Sequence, residues 1–281
     1  MTALTVVGFA SGSPQSEAAM LRIARDHRLA AIVVPQQGRR WRESARRLLG
    51  RAGNSFAGLK APLIDIAEVA RFRPDVIVVA TFPKIISVEI LAAARLGALN
   101  MHMSLLPRHR GPDPLFWTYW HDDRDAGVTL HWMSGRVDAG DIVASQAMLL
   151  ERGLRSREAY MRLTAIGVEL LTGVLGQIVD GHPPRKPQND ALATYESAAE
   201  IARARIPFAE WPSERVWHVL SGLGDQFSGL VVDAAGKRLT HGRAVDYRLT
   251  GDNEPGRIAA VEPGYALHCR DGIVAVERRR W

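Results

Sequence analysis

LNMHMSLLPRHRGPDPLFWTYWHDDRDAGVTLHWMSGRVDAGDIV, residues 99–143, decides how the rest of the chain is read. Asn100 and His102 stand two apart, so at the end of an extended segment they face the same side and can share one site. In the next stretch, SLLPRHRGP, Pro107 biases Leu106 toward extended backbone and Gly111 permits a bend or close approach that a side chain would obstruct. Two readings stay open for it: a rigid functional loop, or a strand end running into an ordinary crossover. GVTLHWM, residues 127–133, has strand character, and SGRVDAGDIV then sets Asp138 and Asp141 around Gly140. Asn donates hydrogen bonds to a carbonyl oxygen, neutral His accepts a proton, and a nearby carboxylate stabilises the imidazolium that results. That inventory suits acyl transfer through a charged tetrahedral intermediate better than electron transfer.

Working toward the N-terminus, PDVIVVAT (residues 74–81) is the strongest buried-strand signal. The strand pattern of residues 4–9, a helical pattern over 16–28 and a further strand over 30–34 give the strand–helix–strand opening of an open α/β sheet. The spacing also predicts a short strand over 62–66, a helix through EILAAARLG before Asn100, and a long helix over 156–179. GFASG does not complete a dinucleotide-binding glycine fingerprint, and the second strand ends in Val34-Pro35-Gln36 without the acid such a site needs. The expected fold is an open, mostly parallel Rossmann-like sheet over residues 1–185. A punctuated connector follows over 186–205, then a smaller β-rich C-terminal domain over 206–281, for which an OB-like open barrel is one candidate form.

The pattern Asn100-Met101-His102, Ser104-Leu105-Leu106-Pro107, Arg110-Gly111, Gly127-Val128-Thr129 and Val137-Asp138-Ala139-Gly140-Asp141 resembles the formyltransferases that use 10-formyltetrahydrofolate. The family includes methionyl-tRNA, glycinamide ribonucleotide and nucleotide-amino-sugar formyltransferases. The resemblance implies Asn100, His102 and Asp138 as the catalytic trio. It implies a folate side that includes Phe82, Pro83, Lys84, Ile86, Val137 and Gly140. It also implies 10-formyltetrahydrofolate as a consumed cosubstrate and an amine as acceptor. No metal is expected, since His102, His109, His121 and His131 form no recognised close ligand pair in sequence.

The 281 residues are 47% hydrophobic and 23% charged, enough for a substantial core, and the lone Cys269 excludes an intrachain disulfide and a cysteine-cluster metal site. MTALTVVGFASGS lacks the pattern of a signal peptide, and the chain has no sustained apolar run of membrane-span type, so a cytoplasmic protein without membrane association is expected. The net charge of +6 is compatible with phosphate-bearing partners. Residues 36–60 hold seven basic residues and one acid, Glu43. Arg39, Arg40 and Arg42 with Trp41 suit either a charged helix face or a clamp for phosphates and a base. The C-terminal segment interleaves Lys237, Arg238, Arg243, Arg248 and Arg278–Arg280 with acids, which weakens a tRNA-binding field. A nucleotide-linked amino sugar therefore ranks first as acceptor. Behind it come initiator methionyl-tRNA, an N-hydroxylated ornithine, water in a hydrolase, and a catalytically inactive module that binds RNA or protein.

Overall fold

A computed structural model describes residues 3–35, 59–227, 229–239 and 243–277. The basic stretch containing Arg39–Arg42 and the terminal arginines, Arg278–Arg280, lie outside the described residues. The chain divides into two compact units. One comprises residues 1–114, 126–148 and 160–196; the other comprises 115–125, 149–159 and 197–281.

The first unit is built on a seven-stranded sheet of order β3-β2-β1-β4-β5-β6-β7. Its strands are β1 (Thr5–Ala10), β2 (Arg28–Val33), β3 (Leu63–Ile64), β4 (Val76–Ala80), β5 (Gly97–His102), β6 (Asp125–Trp132) and β7 (Ile142–Leu149). Strands β3, β2, β1, β4 and β5 run parallel, and β6 runs antiparallel to β5. All five residues of β4, VIVVA, are buried, as a central parallel strand covered on both faces requires. On one face Val7, Phe9, Ala31, Val33, Ile77 and Val79 join Ile64, Val69 and Leu91 in a continuous core. On the other, helix α1 (Pro14–Asp26) lays Ala19, Met20 and Ile23 against the sheet. Gly8 admits Met20 there: a Cβ on Gly8 would stand 2.0 Å from the Met20 sulfur. The helix begins where Ser13 accepts a hydrogen bond from the Ser16 amide and Pro14 fills the first turn.

The helix expected from EILAAARLG is shorter than its apolar pattern predicts. Only α2 (Val88–Leu91) is α-helical, because the Arg95 and Leu96 amides bond to the carbonyls of Pro74 and Asp75 instead of continuing the helical ladder. Further along, helix α3 (Pro114–Trp120) precedes β6, and α4 (Ser156–Val179) is the long helix the sequence predicts. Its stripe of Leu163, Leu171, Val174, Leu175 and Ile178 is buried. A Cβ on Gly167 would stand 2.6 Å from the Met101 sulfur, so α4 lies over the face of β5 that carries Met101. By length and composition α4 is long and apolar enough to cross a membrane, a test that the core helix of a soluble protein also passes.

The second unit contains an open four-stranded antiparallel sheet of order β8-β11-β10-β9, formed by β8 (Ala244–Leu249), β9 (Ile258–Val261), β10 (Gly264–His268) and β11 (Gly272–Glu277). Helix α5 (Ala198–Arg203) opens on a capping box between Ser197 and Glu200, and α6 (Ser213–Leu223) packs on β8 and β11. The aromatic residues of α3 are structural within this unit. Phe116 meets Phe227 at 4.8 Å between ring centroids, Trp120 meets Trp211 at 5.1 Å, and the Tyr119 hydroxyl donates to the Leu154 carbonyl. Cys269 is buried, and burial pushes its thiol up to about 12, which leaves it an inert core residue.

Candidate active site

The alternation of β5 sends Met101 beneath α4 and turns Asn100 and His102 to the opposite face, at the C-terminal end of the strand. The loop that follows is tied to β6 and to itself by hydrogen bonds. The Thr129 hydroxyl on β6 donates to the Ser104 carbonyl and accepts from the Leu106 amide, and the Ser104 hydroxyl bonds the Arg108 carbonyl. The Leu106–Pro107 peptide is cis, and Gly111 has φ +107.

Asp138 comes back to the same place from the loop after β6. Its Oδ1 accepts a hydrogen bond from Asn100 Nδ2 at 3.2 Å, and its Oδ2 accepts one from the Gly111 amide at 2.9 Å. His102 Nδ1 stands 3.7 Å from Asp138 Oδ2, and both side chains are largely buried. The structure thus brings Asn100, His102 and Asp138 together.

The tautomer of His102 follows from its partners. Its Nε2 lies 2.8 Å from the backbone carbonyl of His109, which can only accept, so Nε2 carries the hydrogen. Nδ1, toward Asp138, is then the atom that can take up a proton. Burial lowers the His102 pKa below the ordinary histidine value. The charge of Asp138 and the hydrogen bond to the His109 carbonyl oppose that shift, while the charge of His131 reinforces it. Burial alone would raise the Asp138 carboxyl. The positive charge His102 carries when protonated and the hydrogen bond from the Gly111 amide outweigh it and hold the carboxyl well below the usual carboxylate range. At neutral pH the site is therefore an ionised carboxylate beside a neutral imidazole, the state a general base needs.

Two participants escape a reading of the sequence. His131 lies directly across from Asn100 in the β5–β6 register. Its Nδ1 donates to the Trp132 carbonyl at 3.0 Å, which leaves Nε2 to accept from Asn100 Nδ2 at 3.1 Å. The two hydrogens of the Asn100 amide thus point to Asp138 and His131. His109 acts through its main chain: in a left-handed conformation, φ 57, it aims its carbonyl at His102, while its amide is held by the Thr194 hydroxyl and its ring lies 3.2 Å from Glu196. The strand pairing that places His131 opposite Asn100 was the signal available for His131. The His109 carbonyl left none.

The residues expected on the folate side divide. Phe82 packs edge-on to Phe9 at 5.1 Å and Ile86 is buried in the sheet core, while Pro83 and Lys84 are exposed. Val137 is exposed beside Asp138. Gly140 is a point of close backbone approach, where a Cβ would stand 1.8 Å from the Trp132 carbonyl oxygen. The start of helix α2 and the loop carrying Val137 lie side by side, since a Cβ on Gly135 would touch Val88 at 3.4 Å. Ile85, Val88 and Val137 together give this edge of the site exposed apolar side chains.

An open α/β sheet with an asparagine, a neutral histidine and an ionised aspartate at its strand ends defines a protein equipped for acid–base chemistry at a carbonyl carbon. Residues 63–175 match the Formyl transferase family. The chain is 32% identical over 196 residues to the methionyl-tRNA formyltransferase of Moorella thermoacetica, covering 70% of this chain and 61% of that protein. It is 35% identical over 151 residues to the enzyme of the same name from Methylacidiphilum infernorum, covering 54% of this chain and 46% of that one. Thus it spans only about half to three-fifths of the length of these two relatives. Among solved structures, an N-formyltransferase from Helicobacter canadensis, in complex with folinic acid and dTDP-3-aminofucose, superposes with a TM-score of 0.70 at 15% identity, covering 99% of this chain and 100% of that one. HypX from Aquifex aeolicus in complex with tetrahydrofolic acid superposes with a TM-score of 0.68 at 20% identity, covering 99% of this chain and 45% of that one. Residues 63–175 thus carry the Formyl transferase family pattern; the chain is similar in sequence to methionyl-tRNA formyltransferases and in fold to a sugar N-formyltransferase.

Proposed function

We propose that this protein transfers the formyl group of 10-formyltetrahydrofolate to an amine, with Asn100, His102 and Asp138 as its catalytic residues. The observation that carries the reading is the convergence of Asn100 and His102 on Asp138, with His102 Nδ1 facing the carboxylate at 3.7 Å. The acceptor amine attacks the formyl carbon, a new N–C bond forms, and the bond from that carbon to N10 of the folate breaks with tetrahydrofolate as the leaving group. An N–H of Asn100 stabilises the oxyanion of the intermediate, exchanging its bond within the protein for one to the developing charge. His102 Nδ1 takes the amine proton directly or through water, Asp138 stabilises the imidazolium, and the proton passes on to N10 as tetrahydrofolate leaves, which returns His102 to its neutral form. The exposed apolar edge made by Ile85, Val88 and Val137, near Pro83 and Lys84, suits a flat pterin ring.

For the acceptor, sequence similarity favours the methionyl group of charged initiator tRNA over the nucleotide-linked amino sugar that the mixed-charge C-terminal segment ranks first. The relatives named above are methionyl-tRNA formyltransferases, whereas the likeness to the sugar enzyme speaks only to fold. The reaction belongs in the cytoplasm on this reading. The deciding experiment offers 10-formyltetrahydrofolate with charged initiator tRNA, several nucleotide amino sugars, N-hydroxyornithine or no acceptor. The largest kcat/KM is expected with the tRNA. Formylation of an amino sugar or of N-hydroxyornithine with negligible tRNA activity overturns that choice of acceptor. Formate release that no acceptor changes identifies a hydrolase instead. RNA affinity with neither folate binding nor turnover overturns the enzyme reading altogether.

A further inference from the structure

Asp138 adopts φ 48, a left-handed backbone that a non-glycine residue holds only when its surroundings fix it. What fixes it comes from the connector after α4. The side-chain amide of Gln188 donates from Nε2 to the carbonyl of Asp138 at 2.9 Å and to that of Gly140 at 2.7 Å. Its Oε1 accepts from Arg110 Nε at 3.1 Å and Nη2 at 2.7 Å. This arrangement leaves the carboxamide one orientation, because reversing it would set oxygen against two carbonyls and nitrogen against a guanidinium.

Arg110 is the largest of the fully buried side chains and is itself held on the far side. Its Nη2 reaches Asp190 at 2.8 Å, its Nη1 reaches the Tyr195 hydroxyl, and its backbone pairs with residues 194 and 196. The next residue, Gly111, donates its amide to the Asp138 carboxylate. The Arg110–Gly111 dipeptide therefore holds Asp138 at both ends. It holds the carboxylate directly and the peptide through Gln188. A Cβ on Gly111 would stand 2.4 Å from the Glu196 carbonyl oxygen, so the connector seats on this dipeptide without space for a side chain.

We propose that Gln188 is a positioning residue of the active site: clamped by Arg110, its carboxamide keeps the turn at Asp138 in the conformation that aims the carboxylate at His102. The proposal rests on the formyl-transfer reading only for its kinetic consequence. Its structural consequence is independent of the reaction. The charged and titratable groups that face His102 are Asp138, His131 and His109, and of these only Asp138 is fixed by Gln188.

The test is an NMR titration of the His102 imidazole in the full chain, for the wild type, Gln188→Ala, Gln188→Glu, Asp138→Asn and the double variant Gln188→Ala/Asp138→Asn. Thermal unfolding confirms that each is folded. Loosening Asp138 removes the charge that raises the His102 pKa, so Gln188→Ala should move the titration downward, toward that of Asp138→Asn. In the Asp138→Asn background the same change should add no further shift. Gln188→Glu keeps the length and the contact with Arg110 but cannot donate to the two carbonyls, so it should behave like Gln188→Ala. A residue that merely supports the fold would lower the melting temperature and leave the titration in place. In turnover, kcat should fall about 10- to 100-fold while KM for the folate donor stays within about threefold, the pattern of misplaced catalytic groups. An unchanged His102 titration in folded Gln188→Ala, or an equal shift in the Asp138→Asn background, overturns the proposal. A wild type with no formyl transfer to any acceptor overturns the functional reading and leaves the titration result standing.

Discussion

Replacing Asp138 by Asn preserves the shape of the side chain and removes its charge, which isolates what the carboxylate does for His102. An imidazolium at Nδ1 would sit 3.7 Å from Asp138 Oδ2 in a largely buried setting. At that separation and an effective dielectric constant of about 20, the attraction is worth about 4.5 kcal/mol when the proton is fully transferred, and about 2 kcal/mol when it is half transferred in the transition state. At about 1.4 kcal/mol per factor of ten, Asp138→Asn should reduce kcat/KM roughly 30- to 2000-fold. Asparagine also cannot satisfy every neighbour. With its oxygen on the Gly111 amide, its NH2 group faces the NH2 of Asn100. The pH dependence has a definite sign. His102 acts as a base only when neutral, so activity falls on the acid side as it becomes protonated. Burial already lowers its pKa and Asp138 partly restores it, so the variant's acid limb should move to lower pH. The assay is formyl transfer at saturating donor, with kcat/KM for the acceptor followed across the acid range. Turnover within threefold of wild type, or an acid limb that stays in place or moves upward, would refute this role for Asp138.

Two further outcomes follow from the same geometry. Gly140→Ala sets a Cβ 1.8 Å from the Trp132 carbonyl oxygen, a contact of backbone with no flexible side chain to yield, and should destabilise the protein by about 2 kcal/mol or more in chemical denaturation while abolishing most turnover; a wild-type unfolding midpoint with wild-type kcat would contradict the close approach. His131→Phe keeps a buried ring but removes the Nε2 acceptor of Asn100, and should lower kcat about tenfold with KM for the donor unchanged, so a kcat equal to wild type in the folded variant would show that His131 does not position Asn100.

Much of the fold is legible because its signals are local. VIVVA reads as a strand buried on both faces, the apolar spacing of residues 156–179 reads as a long helix with one buried stripe, and the structure has both. Asn100 and His102 are legible together for the same reason, since the two-residue period of a strand puts them on one face. The helix over-read in EILAAARLG shows where local signals stop: Arg95 and Leu96 have helical propensity, but their amides are taken by carbonyls from residues 74 and 75. His131 becomes significant only once the register sets it opposite Asn100, and no periodicity within β6 carries that register. Asp138 is harder still. Spacing says only that it follows a strand, and its return to His102 depends on a left-handed turn held by residues 50 positions away, so only family resemblance could point to it.

Three left-handed backbone positions of the first unit serve the chemistry directly. His109 at φ 57 presents the carbonyl that fixes the His102 tautomer, Gly111 at φ +107 presents the amide that binds the Asp138 carboxylate, and Asp138 at φ 48 presents the carboxylate itself. Each hands the His102–Asp138 pair a group that regular strand geometry would have directed elsewhere. Extended backbone alternates its side chains and spends its carbonyls and amides on the ladder, so β5 alone can supply Asn100 and His102 but neither the acceptor for Nε2 nor the donor for Oδ2. Left-handed turns supply both, at a cost of order 1 kcal/mol or more for each non-glycine residue. The contacts that offset that cost are those of Thr194 and Glu196 with His109, and of Gln188 with Asp138. The connector therefore belongs to the active site in physical terms. Without residues 188–196 holding these turns, the sheet would still place Asn100 and His102 on one face, but His102 would lose the fixed proton on Nε2 that leaves Nδ1 open as a base.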